Sequence, residues 1–196
     1  HLADMPLEEF DPVLGEGSGA GMIFGATGGV MEAAIRTVYE LVTGRPVPFE
    51  KLNITPVRGM EAIKDATLKL ENVKKEYKWL EGVDLKIAVA HGTANAKILM
   101  DKLVEGTLDY HFIEVMACPG GCLGGGGQPI PTTPEIRLAR AKAIYQEDED
   151  IVIRKSHENP LITKLYDEFL GKPGSHKAHD LLHTHYVKRG KYFVKD

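Results

Sequence analysis

Only two cysteines occur in the 196-residue sequence, and both lie in one short segment, at Cys118 and Cys122. A disulfide framework is therefore excluded, and two free thiols indicate a reducing, cytoplasmic compartment. An excess of one charge sign is also lacking. The formal net charge is −4 with both signs interspersed, so neither a nucleic acid nor an anionic membrane is expected as a partner. No apolar run approaches the ~18 residues of a membrane span, and the N-terminal residues have no secretory pattern.

Complete nucleotide-binding motifs are also absent. The glycine-rich stretch from Gly17 has Met22 where a Gly-x-Gly-x-x-Gly fingerprint requires glycine. No acidic residue stands on a following strand end at the ~20-residue offset that a ribose contact needs. Because a Gly-Lys-Ser/Thr phosphate loop is missing as well, we expect no nucleotide site in this chain.

The two cysteines belong to the segment Glu114-Val-Met116-Ala-Cys118-Pro-Gly-Gly-Cys122-Leu-Gly-Gly-Gly-Gly-Gln-Pro129. Glycine permits close backbone approach and leaves N–H groups free to donate hydrogen bonds to inorganic sulfide. Structural zinc needs four ligands, whereas this Cys-x3-Cys spacing offers two, and a redox Cys-x-x-Cys is absent. The residues favour an iron–sulfur cluster with further ligands from elsewhere; two buried structural thiols are the alternative.

Strand and helix patterns alternate ahead of this segment. Residues 85–90 and 111–116 are short apolar runs typical of buried strands, and Thr93 can cap a helix between them that ends at Gly106. This order predicts an α/β fold with a parallel or mixed sheet flanked by helices. The cysteines then lie at the carboxyl end of the second strand, where open α/β sheets bind ligands.

A longer helix is predicted just after the glycine-rich loop and ends at Gly44. Four apolar residues at helical spacing would share its buried face: Val30, Ala34, Val38 and Leu41. Thr27 would cap this helix. Gly28 and Gly29 would leave its N–H groups open to an anion.

The remaining segments suggest two parts. Residues 49–70 have a strand-like pattern with Leu52, Ile54 and Val57 as inward positions. Beyond Pro134 the pattern is helical, and we therefore assign one lobe to residues 1–145 and an all-helical segment to residues 146–196. Three histidines on one face of the last helix are expected to form a buried polar face rather than a metal site: His176, His179 and His183.

Three blocks of this sequence resemble [FeFe]-hydrogenases, and they are distributed over most of the length of the chain. Residues 114–129 resemble the third cluster-binding signature of that family. The block Phe24-Gly-Ala-Thr-Gly-Gly-Val-Met-Glu-Ala-Ala-Ile-Arg36 resembles the stretch upstream of it, and residues 156–159 with 171–185 resemble the small-subunit domain. The resemblance implies reversible oxidation of hydrogen and reduction of protons. The implied cofactor is the H-cluster, a [4Fe–4S] cubane joined to a two-iron subsite with CO, cyanide and a bridging dithiolate.

The resemblance also implies roles for individual residues. Cys118 would ligate the cubane, and Cys122 would bridge the cubane and the two-iron subsite, with Met116 beside the cluster. Phe24 would line the pocket of the two-iron subsite, and Cys122, Phe24 and Met116 would form the catalytic group. Three neighbours of Phe24 would complete the cofactor pocket: Gly25, Thr27 and Gly28.

The implied cofactor needs four cysteines, and this chain has two. We therefore expect the chain, which begins at His1, to be inactive alone. An upstream part, in the same chain or a partner chain, would supply the other ligands. Ferredoxin or an NADH-linked subunit would carry the electrons. Two alternatives stay open: a hydrogenase-like iron–sulfur cluster assembly or carrier protein, which the block at residues 29–34 disfavours, and a sensory hydrogenase-like module without turnover.

Overall fold

A three-stranded mixed sheet forms the centre of the first of two compact units. The computed structural model describes residues 5–8 and 15–187, and the units divide between Asn159 and Pro160. The strands are β1 (Ile63–Lys69), β2 (Asp84–His91) and β3 (Phe112–Met116), in that spatial order. β1 pairs antiparallel with β2, and β2 pairs parallel with β3. The predicted α/β class with a mixed sheet is confirmed, whereas the division at residue 145 stays a prediction.

The described residues of this unit form four α-helices: α1 (Gly19–Met22), α2 (Gly29–Thr43), α3 (Thr93–Val104) and α4 (Pro134–Asp150). Short 3-10 turns occupy much of the stretch expected to be strand-like, at Glu50–Leu52 and Thr55–Val57, so a strand forms only from Ile63 onward. The acidic end of α4 does not break the helix as its composition suggests. It continues to Asp150, since the buried Asp148 is bound by arginines.

The sheet is covered by apolar side chains on both faces. Ile87 and Val89 of β2 join the largest cluster, which includes α2 residues and the fully buried Ile54 and Val57. Ala88 and Ala90 point to the opposite face and pack with Leu99 of α3. Alternation along β2 thus buries both faces of the central strand, as its continuous apolar run predicts, and each large side chain contributes about 1.5–3 kcal/mol.

The buried face of α2 differs from the predicted one. Val38 and Leu41 are 42% and 45% exposed. The core is instead formed by the neighbouring face, at Met31, Ile35 and Tyr39. The helix is apolar on two faces, and spacing alone does not say which face the sheet covers.

The second unit is helical. α5 (Pro160–Leu165) continues into a π-helical turn (Tyr166–Leu170), and α6 (His176–Leu182) begins at a Ser175 cap whose hydroxyl accepts from the Ala178 N–H at 3.2 Å. His176, His179 and His183 are solvent-exposed, so the expected buried polar face is wrong. The sequence pattern predicts a helix over residues 175–188, but the observed helix ends at Leu182, residues 183–187 are not helical, and residue 188 lies outside the described residues.

None of the helices among residues 5–8 and 15–187 combines the length and the apolar character needed to cross a membrane.

Candidate functional site

The two cysteines lie in a glycine-rich loop that follows β3 directly. Residues 117–128 are called the cysteine loop below. Both thiols are exposed and line an open cavity of about 300 Å³. The other walls come from small or apolar residues: Met116, Ala117, Gly121, Gly125 and Gly126. The structure thus brings together Cys118, Cys122 and Met116 at the carboxyl end of a parallel strand, as predicted for a ligand site.

Gly121 lets the cysteine loop approach the segment ahead of α2. Its φ of +81° and ψ of −147° are nearly restricted to glycine. It forms an isolated antiparallel bridge with Ala26, and the Thr27 N–H donates to the Gly120 carbonyl at 3.1 Å. A Cβ at Gly121 would lie 2.6 Å from Met116 Sδ and 2.9 Å from the Thr27 nitrogen. The close approach of these two segments therefore depends on the absence of a side chain.

The residues predicted from the upstream block take different positions. Gly25 contacts the cysteine loop, since its carbonyl oxygen would lie 2.9 Å from a Cβ at Gly121. Phe24 is 46% exposed and is not among the residues lining the 300 Å³ cavity. The side chain of Thr27 is buried, and its Oγ1 has no hydrogen-bond partner within the described residues. The roles assigned to Phe24, Gly25, Thr27 and Gly28 stay predictions.

Glu114 of β3 occupies the N-terminus of α2. Its buried carboxylate accepts from the N–H groups of Gly28 at 2.6 Å and Met31 at 2.7 Å. The expected cap by Thr27 and the open N–H groups for a ligand anion are therefore wrong, because the chain supplies its own anion there. An acidic residue inside an apolar strand was the available sequence signal for this contact.

A buried lysine and a buried histidine accompany Glu114, and neither was predicted. Lys64 of β1 is 6% exposed, and its ammonium donates to the carbonyls of Gly59 at 2.9 Å and Thr27 at 3.3 Å. Burial lowers the pKa of Lys64 to about 8, although the nearby charges of Glu114 and Glu61 act in the opposite direction. Burial also lowers the pKa of His91, and the charges of Lys64 and Arg137 add to that effect.

The free energy of unfolding is expected to rise with pH in the alkaline range because of Lys64. Its pKa is about 8 in the folded protein and 10.5 ordinarily, so the unfolded chain binds more protons between these values. The destabilising charge on the buried ammonium is fully present below pH 8 and is lost above it. Wild type should therefore gain roughly 1–2 kcal/mol over Lys64→Met between pH 8 and pH 9.5 in urea denaturation.

Lys69→Met is the matched control, because Lys69 lies on the same strand with a 60% exposed side chain. That variant should follow the wild-type pH profile over this range. A parallel profile for Lys64→Met would contradict the assignment.

Five charged side chains form a network that joins α2, α4 and the turns between α2 and β1. Arg36, which is fully buried, donates to both Asp148 oxygens at 2.7 Å and to Glu32 at 2.7 Å. Arg58 also binds Glu32, and Arg154 binds Asp148 at 2.6 Å. The network fixes α2 against α4, and we assign it a structural role since it does not line the cysteine cavity.

Two models of known protein families match the sequence of this chain. The family described as "Iron only hydrogenase large subunit, C-terminal domain" matches residues 1–126. The chain belongs to the iron-only hydrogenase family. The family described as "Iron hydrogenase small subunit" matches residues 134–189, so the resemblance of the helical segment is confirmed as well.

Relatives of this hydrogenase-family chain are much longer than the chain itself. It is 48% identical over 189 residues to the NADP-reducing hydrogenase subunit HndD of Solidesulfovibrio fructosivorans, covering 96% of this chain and 30% of HndD. The solved [FeFe]-hydrogenase HydA1 of Chlamydomonas reinhardtii matches with a TM-score of 0.72 at 46% identity, over 95% of this chain and 51% of that one. The cytosolic Fe–S cluster assembly factor narfl of Danio rerio is 40% identical over 105 residues, covering 52% of this chain and 25% of the factor.

The cysteine cavity suits the iron–sulfur cofactor that the hydrogenase family implies. Two thiols line one opening, and thiolates are the usual protein ligands of such clusters. A Cβ at Gly125 would lie 3.4 Å from Cys118 Sγ, so glycine there keeps one side of the thiol open. The glycine walls also leave backbone groups close to a bound cluster.

Proposed function

We propose that this chain supplies two of the four cysteine ligands of an H-cluster in an [FeFe]-hydrogenase. The observation that carries the proposal is the pairing of the Cys118 and Cys122 thiols on one glycine-lined cavity, at the carboxyl end of β3. When bound, the H-cluster supplies the iron chemistry that interconverts dihydrogen with two protons and two electrons. The chain's part is to hold that cofactor through Cys118 and Cys122.

Other residues of the chain position these ligands and shield the cavity. Met116 packs against Gly121 and covers the base of the loop, and the bridge between Gly121 and Ala26 fixes the loop beside Gly25 and Thr27. We assign Phe24, Gly25, Thr27 and Gly28 to the wall of the two-iron subsite, on their likeness to the family block. Cys122, Phe24 and Met116 remain the proposed catalytic group.

The other two ligands would come from the part of the longer protein that this chain does not include. In support, the chain covers 30% of HndD and 51% of the HydA1 chain. We propose that ferredoxin or an NADH-linked subunit exchanges the electrons and, on the two free thiols, that the protein is cytoplasmic. The 196-residue chain alone would then be inactive.

Infrared spectroscopy of the matured longer protein tests this function. We expect bands of iron-bound CO and cyanide together with hydrogen evolution. Cys118→Ser and Cys122→Ser should each lower activity by more than about 100-fold and weaken or remove the bands, since each loses a thiolate ligand. Met100→Leu, which removes an exposed sulfur from α3, should leave both unchanged.

Three results would count against the proposal. Full activity in both cysteine variants would show that neither thiol is a ligand. Tight binding of four irons by the 196-residue chain alone would show that it is not half of a site. A complete protein that binds iron but never shows the CO and cyanide bands would favour the cluster assembly function, which the likeness to narfl supports over 52% of the chain.

A further inference from the structure

A second, smaller cavity lies next to the cysteine loop and has a basic lining. Its volume is about 180 Å³, and His91 and Arg137 are its two polar side chains. The other walls are Met60, Pro119, Gly120, Pro134 and Leu138. The cavity shares no lining residue with the 300 Å³ cavity, although Pro119 and Gly120 belong to the same loop.

His91 has an unsatisfied hydrogen-bonding group at this cavity. The residue is 7% exposed at the carboxyl end of β2, and its Nδ1 is buried without a hydrogen-bond partner in the described part of the chain. A buried ring nitrogen without a partner costs free energy unless a ligand or water binds it. His91 lines the cavity through other atoms of its ring, and a half-turn of the ring about χ2 would present Nδ1 to a ligand there.

Arg137 adds an unpaired positive charge. Its guanidinium forms no hydrogen bond or ion pair within residues 5–8 and 15–187. Its Cδ packs over the loop, 3.2 Å from where a Cβ at Gly120 would lie. Among the described residues no carboxylate lines the cavity, and the nearest acid along the chain, Glu135, forms no ion pair with Arg137, although the charge of Arg137, after the Thr133 hydroxyl, helps to lower the pKa of Glu135.

The start of a long helix adds to the positive field. α4 has 17 residues and begins at Pro134, which also lines the cavity. The N-terminal end of such a helix carries a partial positive charge that favours anions. Burial is the main cause of the lowered pKa of His91, and the positive charges of Lys64 and Arg137 add to it.

We propose that this cavity binds one small oxyanion group, a carboxylate or a phosphate, held between Arg137 and His91. The planar guanidinium can donate to two oxygens at once, and His91 can donate through a ring N–H. A volume of about 180 Å³ admits such a group but not a nucleotide. The group would contact the backbone of Pro119 and Gly120, and so the occupied cavity would brace the cysteine loop from behind. The source is either a free ion or an Asp or Glu side chain of the longer protein.

Titration of the 196-residue chain with inorganic phosphate, and separately with acetate, tests the chemistry. At constant ionic strength, we expect saturable binding by calorimetry and a shift of the His91 ring resonances. Arg137→Gln should weaken binding about tenfold, as expected for the loss of a charged hydrogen-bonding group. His91→Gln provides a second variant. Lys142→Gln removes an exposed cation from the same helix outside the cavity and should change affinity less than twofold.

The same titration on the longer protein distinguishes the two sources. Retained phosphate binding identifies a free ion, whereas loss of binding that the isolated chain shows identifies a carboxylate side chain already in the cavity. The proposal is overturned if neither anion binds the 196-residue chain saturably. It is equally overturned if neither Arg137→Gln nor His91→Gln changes the affinity more than Lys142→Gln does.

Discussion

Replacing Gly121 with alanine is expected to destabilise the protein by roughly 2–6 kcal/mol and to displace the cysteine loop. The backbone at Gly121, with φ +81° and ψ −147°, costs about 1–3 kcal/mol for any other residue. The added methyl would also meet Met116 Sδ at 2.6 Å and the Gly25 oxygen at 2.9 Å, and forced packing of this kind costs about 1–3 kcal/mol more. The free energy of unfolding, measured by urea denaturation, checks the first effect.

Two other glycines of the same loop serve as matched controls. Gly127 has φ +88° but open space around its missing Cβ, so Gly127→Ala should show the backbone cost without the clash. Gly126 has neither a positive φ nor a neighbour within 4 Å, and Gly126→Ala should cost less than about 0.5 kcal/mol. Equal losses for Gly121→Ala and Gly127→Ala would show that the contact with Met116 and Gly25 is unimportant.

Hydrogen exchange of the Thr27 N–H measures the displacement of the cysteine loop separately from the loss of stability. The Thr27 N–H donates to Gly120 beside the bridge between Gly121 and Ala26, and so its hydrogen exchange should accelerate in Gly121→Ala. It should stay slow in Gly126→Ala. Unchanged protection of Thr27 in the destabilised variant would mean that the loop adapts without moving away.

Replacing Asp148 with asparagine is expected to cost about 3–5 kcal/mol. Asp148 is fully buried and accepts from Arg36 and Arg154, while Glu32 is the only other carboxylate in this five-member network. The substitution keeps the shape of the side chain but leaves the buried guanidinium of Arg36 with one anion instead of two. Breaking a buried ion pair from one side is costly because the remaining charge is no longer compensated.

The cost of Asp148→Asn should depend on pH. Burial acts to raise the pKa of Asp148, but the hydrogen bonds and charges of Arg36 and Arg154 outweigh it and hold the pKa below its ordinary value of 3.8. The stability that this carboxylate contributes is therefore fully present above pH 3.8 and is lost as the pH falls through the lowered pKa. Unfolding free energies of wild type and variant should differ most near neutrality and converge in acid.

Asp101→Asn is the control for the buried network. Asp101 forms an exposed pair with Lys97 on α3, with side chains 55% and 72% exposed, and its loss should cost less than about 0.5 kcal/mol. A loss of similar size for Asp148→Asn would show that the buried network adds little to stability.

Much of the sheet could be predicted from the sequence. Residues 87–90, in the second half of β2, are all apolar because the central strand is buried there on both faces, and such a run has few alternatives. The end of α2 was equally clear, since Gly44 adopts φ +72° and its N–H donates to Glu40 at 2.8 Å. The cysteine loop could be recognised for a similar reason, because its cysteines and glycines are needed within the loop itself.

Contacts between distant residues account for what the sequence did not reveal. The cap of α2 comes from Glu114, separated from Gly28 by 86 positions, and no local pattern connects the two. The extension of α4 to Asp150 depends on Arg36, separated from Asp148 by 112 positions. The covered face of α2 depends on where the sheet lies. In each case tertiary contacts decide between outcomes that local propensity leaves almost equal in free energy.

The hydrogen bonds of Glu114 also affect what can be concluded when a protein is assigned to this family by its sequence motif. The residue opens the same short signature that contains Cys118 and Cys122, yet its carboxylate binds N–H groups in the first turn of α2, and Glu114 is not among the residues that line the 300 Å³ cavity. The signature therefore contains residues of two kinds: Glu114 stabilises the fold, and the two cysteines are the proposed ligands of the cofactor. A protein could keep Glu114 and the fold after losing the cysteines. Sequence similarity between two proteins over this stretch is then strong evidence for a common fold. It is evidence for shared chemistry only where both cysteines are retained.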